Sequence, residues 1–130
     1  VSGQQPAPAL QPLDDIRRLQ DGRLLGVTRA GADIVLDVAY VRGLVPHRSV
    51  AGHTEYESAR LDFGYARLVC VQAHLVGGDP SAWSWLAGLS EHDPERTILW
   101  AELEAQRLEL LLLASSLIVE FRSLRVEPLS

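Results

Sequence analysis

Hydrophobic and polar positions alternate most cleanly from Ile34 onward, where Ile34, Leu36, Val38 and Tyr40 are interleaved with Val35, Asp37, Ala39 and Val41. A period of two in a stretch rich in β-branched residues is the mark of a strand. Asp21-Gly22 is a turn signal ahead of it, then Arg23 to Arg29 forms a second apolar-polar run, and Ala30-Gly31-Ala32 supplies a turn between the two. Together they predict a β-hairpin. Strand character resumes at Tyr56, with Leu61 and Phe63 flanking Asp62 and Gly64 marking a bulge or bend. Arg67 to Val76 is a further apolar run, closed by Gly77-Gly78. Asp79-Pro80 then reads as a helix start, an acidic cap followed by proline in the first helical position. That helix carries Trp83, Trp85, Leu86 and Leu89, and Gly88 limits it to two or three turns.

The last third sets propensity against pattern. Asp93-Pro94-Glu95 looks like a helix N-terminus, and the Leu, Glu, Ala, Gln and Arg that follow favour a helix from Pro94 to Leu113. Wound at about 100° per residue, however, the apolar side chains from Ile98 to Leu113 fall all round the axis and no polar face separates. Alternation fits better. Ala101, Leu103 and Ala105 lie to one side, Glu102, Glu104 and Gln106 to the other, and Val119 and Phe121 alternate with Glu120 and Arg122. The pattern therefore predicts at most one helical turn, then strands near 98–105, 107–113 and 117–126.

Six to eight strands, one or two short helices and hairpin connections define a mainly β chain with a minor α component. The candidate architectures are an antiparallel sandwich, a strongly curved sheet or a partly open barrel. Residues 1–12, with Pro6, Pro8 and Pro12, read as a flexible leader, and 13–130 as one domain; Asp14 is a candidate cap for a short helix reaching Arg18 or Leu19. Between Arg42 and Thr54 the periodicity stops at Gly43, Pro46 and Gly52, which predicts a long irregular loop.

Composition narrows the classes. The 130 residues are 47% apolar and 22% charged, enough to build a core without staples. With a single cysteine, Cys70, no intrachain disulfide can form. A net charge of −5 disfavours nonspecific nucleic-acid binding. All twelve basic residues are arginine, which excludes a Schiff-base lysine, a P-loop lysine and a Ser-Lys dyad, and which suggests a GC-rich bacterial genome. No stretch reads as a signal peptide or a membrane span, so the expectation is a cytoplasmic protein without a membrane partner.

The segments Asp21-Gly22-Arg23-Leu24-Leu25-Gly26-Val27, Ile34-Val35-Leu36-Asp37-Val38 and Leu117-Ile118-Val119-Glu120-Phe121-Arg122-Ser123-Leu124 resemble a loose group of small bacterial β-rich domains. Those domains open with a short helix and an Asp-Gly-headed strand, and some are immunity-protein-like. This chain has Gln20 where the group often has histidine. The resemblance implies a β-rich fold and carries over no site residue.

Candidate chemistry is sparse. His47 and His53 lie in the irregular stretch, and His53-x-Glu55-x-Glu57 would share one face of an extended segment. His47, His53 and Glu55 are thus candidate metal ligands, although no spacing matches an established zinc motif and polar residues on a solvated loop explain them as well. His74 reads as a hydrogen-bonded sheet residue and Asp93 as a cap beside His92. Cys70, between Val69 and Val71, reads as an inert buried thiol. Glu102, Glu104, Glu109 and Glu120 fall on the expected solvent face of a sheet. Of the tryptophans, Trp83 and Trp85 point to different sides of their helix, one inward and one a candidate contact residue. The two-sided runs Leu110 to Leu113 and Leu117 to Val119 suggest strands covered on both faces. These features favour a non-enzymatic protein-interaction or binding module, immunity-like in one version, with a protein partner or a second copy in a homodimer and no cofactor. A small metal-binding domain or metal-dependent hydrolase using His47 and His53, and a small-ligand β-barrel, are the alternatives.

Overall fold

The computed structural model describes residues 16–50, 53–113 and 115–129, with side chains at 16–43, 61–113 and 115–129. Among the described residues eight strands form two four-stranded sheets. They are β1 (Arg23–Ala30), β2 (Asp33–Val50), β3 (His53–Val71), β4 (His74–Leu75), β5 (Ile98–Glu104), β6 (Arg107–Leu112), β7 (Ser116–Glu120) and β8 (Ser123–Pro128). The first sheet has the order β1-β2-β3-β8 and the second β4-β7-β6-β5, with antiparallel neighbours throughout.

The alternation read from the sequence becomes burial. Ile34, Leu36 and Val38 from β2, Ala66, Leu68 and Cys70 from β3, Leu108, Leu110 and Leu112 from β6, and Leu117 and Val119 from β7 meet in one core cluster. The two inner faces thus pack as a sandwich, the mainly β architecture expected, and no barrel closes among the described residues. The helix alternative for 94–113 fails for the reason its wheel gave: Leu110 and Leu112 face inward while Leu111 faces out. Only Pro94–Arg96 is helical there, a single 3-10 turn capped by the Asp93 carboxylate, which accepts from the Glu95 N–H at 2.9 Å.

Three further details correct the sequence reading. The Arg42–Thr54 stretch is not an irregular loop through its length, because β2 runs on to Val50 and β3 starts at His53, with Val50 opposite His53. Register shifts between Val41 and Gly43, Leu44 and Pro46, and Pro46 and Arg48 throw the alternation out of phase there, so a period-two search loses the strand. The run from Arg67 to Val76 is two elements. Gln72 takes a positive φ of 49°, the chain turns, and His74-Leu75 pairs with β7 of the other sheet. Finally, Pro80–Gly88 is a 3-10 helix, begun as expected by Asp79, whose carboxylate accepts from the Ser81 N–H at 2.9 Å.

At Gly64 the ring of Tyr40 crosses the opposite strand, and a Cβ would collide with its Cζ and hydroxyl. The register runs unbroken through Gly64, so the bulge anticipated there is absent, and the missing side chain makes room for the aromatic ring instead.

One buried charge ties the sandwich to its long connection. Arg96 is 6% exposed and directs all five guanidinium N–H groups at backbone carbonyls. Its Nε donates to Ser90 O at 2.8 Å, its Nη1 to Leu24 O at 3.1 Å and Leu25 O at 2.9 Å, and its Nη2 to Leu86 O and to Leu89 O at 2.8 Å. Leu25 is the extra residue of a β-bulge in β1, so its carbonyl is among those the sheet ladder leaves over. The guanidinium supplies it.

Candidate functional site

The outer face of the second sheet is set by register. Three rows of residues cross it. Trp100 stands opposite Leu111 and Leu111 opposite Ser116; Glu102 stands opposite Glu109 and Glu109 opposite Ile118; Glu104 stands opposite Arg107, Arg107 opposite Glu120, and Glu120 opposite His74. The Val76 N–H donates to Ile118 O at 2.9 Å and brings Val76 to the end of the middle row. Because partners across antiparallel strands share a face, one side of this sheet presents an apolar band beside a band of carboxylates.

The apolar band is well exposed. Trp100 is 46% exposed, Leu111 45%, Leu113 59% and Val76 44%. The carboxylate band is unevenly balanced. In its outer row the His74 Nε2 lies 3.2 Å from Glu120 Oε1 and Arg107 Nη1 4.0 Å from Glu120 Oε2, so Glu120 sits between two cationic or protonatable groups. In the middle row Glu102 and Glu109 oppose each other directly, and like charges in that position destabilise a sheet. An open cleft of about 520 Å³ adjoins the outer row, lined in part by Gln72, His74, Glu104, Arg107 and Glu120. A smaller depression of about 270 Å³ is lined by Glu102, Glu104, Arg107 and Glu109.

The residues singled out in the sequence fare differently. Trp83 is buried in the core and Trp85 is half-buried against it, with ring centroids 5.8 Å apart at a 31° tilt. Trp83 is thus the inward tryptophan of the 3-10 helix, while Trp85 keeps part of its surface open. The exposed tryptophan is Trp100. A signal for it was present: Trp100 is in phase with Glu102 and Glu104, which the alternation had already assigned to solvent. The four glutamates lie on the outer face as expected. His74 is a sheet residue but an exposed one, paired with Glu120. The side chains of His47, His53 and Glu55 lie outside the described residues; among the described residues no group of three or more His, Cys, Asp or Glu is placed to hold a metal ion. Cys70 is fully buried, and burial pushes its thiol from about 9 up to about 12, with the Asp33 charge adding to the effect. It stays protonated and unreactive at neutral pH.

The first sheet offers a different surface. Its outer face is knitted by ion pairs, Arg67 Nε to Asp37 Oδ1 at 2.8 Å and Arg125 Nε to Glu127 Oε2 at 2.6 Å. Asp37 and Glu127 hold their arginines on the sheet, and less apolar surface is left open.

Fold and surface together define a two-sheet antiparallel sandwich with one apolar, acid-bordered face. No family model, curated protein or solved structure matches the chain.

Proposed function

We propose that the chain is a non-enzymatic protein-interaction module whose contact surface is the outer face of the second sheet. One observation carries this reading. Among the described residues, every large hydrophobic side chain that is well exposed, except Tyr65, belongs to β4, β5 or β6 or to the residue just beyond: Val76, Leu99, Trp100, Leu103, Leu111 and Leu113. Of these, Trp100, Leu111, Leu113 and Val76 lie on the outer face, whereas Leu103 pairs with the core residue Leu108 on the other face and Leu99 falls at a bulge. Such residues scattered singly need no explanation, but four on one sheet face, bordered by charge, suit a protein contact surface. Trp100 is the natural anchor, a large and stiff side chain that orders at little entropic cost. The partner is another protein or a second copy of the chain. An immunity-like role remains one version of this reading, supported by the resemblance of β1, β2 and β7.

Site-specific photocrosslinking in the native cells tests the proposal. A benzophenone side chain at Leu111 or Ile118 is expected to give discrete protein adducts, and one at Thr28 or Arg125 on the other sheet none. Equal adducts from both sheets, or none from the second, would refute it.

A further inference from the structure

We infer that the partner presents a cationic segment that carries apolar and arginine or lysine side chains together on one face. This rests on the interaction-face reading above and adds the chemistry of the occupant. The face places four carboxylates, Glu102, Glu104, Glu109 and Glu120, against one guanidinium, Arg107, and one imidazole, His74. Both the Arg107 guanidinium and the His74 imidazole lie against Glu120. Among the described residues Glu102, Glu104 and Glu109 are then left without an ion pair. Glu102 and Glu109 oppose each other directly, next to the apolar row of Trp100 and Leu111, where the Trp100 indole N–H donates to Glu102 Oε1 at 3.4 Å.

That pair is unfavourable for the isolated sheet, since two like charges face each other across adjacent strands. A cation placed between them reverses the sign of the term. The same cation lies within reach of the Trp100 ring, where an arginine gains from the π face as well. Successive rows lie two residues apart along the strands, the apolar row first and the carboxylate rows after it. An extended segment therefore matches them when one of its faces carries an apolar side chain at position i and basic ones at i+2 and i+4. A second copy fits less well, because it brings the same excess of carboxylates. A phosphate backbone is repelled outright.

The test is selection of a random linear peptide library on the full chain, followed by binding of the selected peptides to defined variants. The variants are Glu102→Gln/Glu109→Gln, which removes the charge, and Trp100→Ala/Leu111→Ala, which removes the apolar row. All four positions face solvent, and circular dichroism checks that each variant keeps the fold. Expected are peptides with arginine or lysine two or four residues from an apolar side chain, an affinity about tenfold weaker for the glutamine variant, and weakening in added salt. Peptides that need Trp100 and Leu111 but are not basic, or that ignore the glutamine variant, overturn the cationic partner and leave the contact face standing. Peptides indifferent to Trp100 and Leu111 overturn the contact face itself. A library that yields nothing above the bare support, or self-association in sedimentation that Leu111→Arg abolishes, also overturns the inference.

Discussion

Arg96 is the residue whose loss the fold should feel most. Truncation to alanine removes five donors at once, two of them in fully buried bonds to Leu24 O and Leu86 O. The damage is not five full hydrogen bonds. Leu86 O keeps the Leu89 N–H and Ser90 O keeps the Asp93 N–H. The bulge carbonyl of Leu25 and the turn carbonyl of Leu89 lose the donor that the guanidinium supplies. Stranding a buried polar group costs about 1–3 kcal/mol, and the vacated side-chain volume adds a packing loss, so Arg96→Ala is expected to cost about 4 kcal/mol. For a chain of this length that lowers the midpoint of thermal unfolding by about 15 °C. Arg96→Lys keeps the charge but offers three donors from a point instead of five in a plane, and should recover about half of the loss. Urea unfolding followed by fluorescence and circular dichroism measures both. If both variants fall within about 1 kcal/mol of the wild type, a threshold taken from ordinary surface substitutions, the guanidinium does not hold the connection to β1 and the reasoning fails.

Other consequences are checked more simply. Leu110→Ala should cost about 2–4 kcal/mol and its neighbour Leu111→Ala a few tenths at most, because one faces the core and the other solvent; equal losses in denaturant unfolding would contradict the register. Glu102→Gln should stabilise the chain by a few tenths of a kcal/mol at low salt, an advantage that fades as salt screens the pair. Cys70 should resist iodoacetamide in the native state at pH 8 and react fully once unfolded, as followed by mass spectrometry. Its folded thiol titrates near 12 and its unfolded one near 9, so the folded state favours the protonated form. Stability therefore falls as pH rises between those values, and Cys70→Ser should blunt that fall. Asp79 is held below the usual carboxylate range by hydrogen bonds from the Ser81 side chain and backbone. Its contribution is present above the unfolded value and lost as pH falls through the folded one, so Asp79→Asn should flatten the acid limb of a thermal-stability profile.

Much of the fold is legible in the chain because period-two burial is a local signal. Leu108, Leu110 and Leu112 announce their strand against Glu109 and Leu111 even though every one of these residues favours a helix, and tertiary burial decides the contest. Where bulges shift the phase, at Gly43 and Pro46, the signal vanishes although the backbone remains paired. The break at Gln72 is equally hidden, since a single positive φ at a non-glycine residue leaves no mark in composition. The proposed contact surface is half visible. Phase alone assigns the glutamates to solvent and assigns Trp100 with them, whereas proximity in sequence singles out Trp83, which the core absorbs, and Trp85, which packs half-buried against it. Which strand neighbours which, and hence that Glu102 meets Glu109 across β5 and β6, emerges only from the assembled sheet.

The account stands on Trp100 being displayed outward beside carboxylates while Trp83 is enclosed and Trp85 half-buried. Fluorescence quenching by caesium ions, which the carboxylates attract, measures this directly. One tryptophan should be readily quenched, and Trp100→Phe should abolish that component while Trp85→Phe leaves it in place. If quenching survives Trp100→Phe and disappears with Trp85→Phe, the outward face has been assigned to the wrong surface.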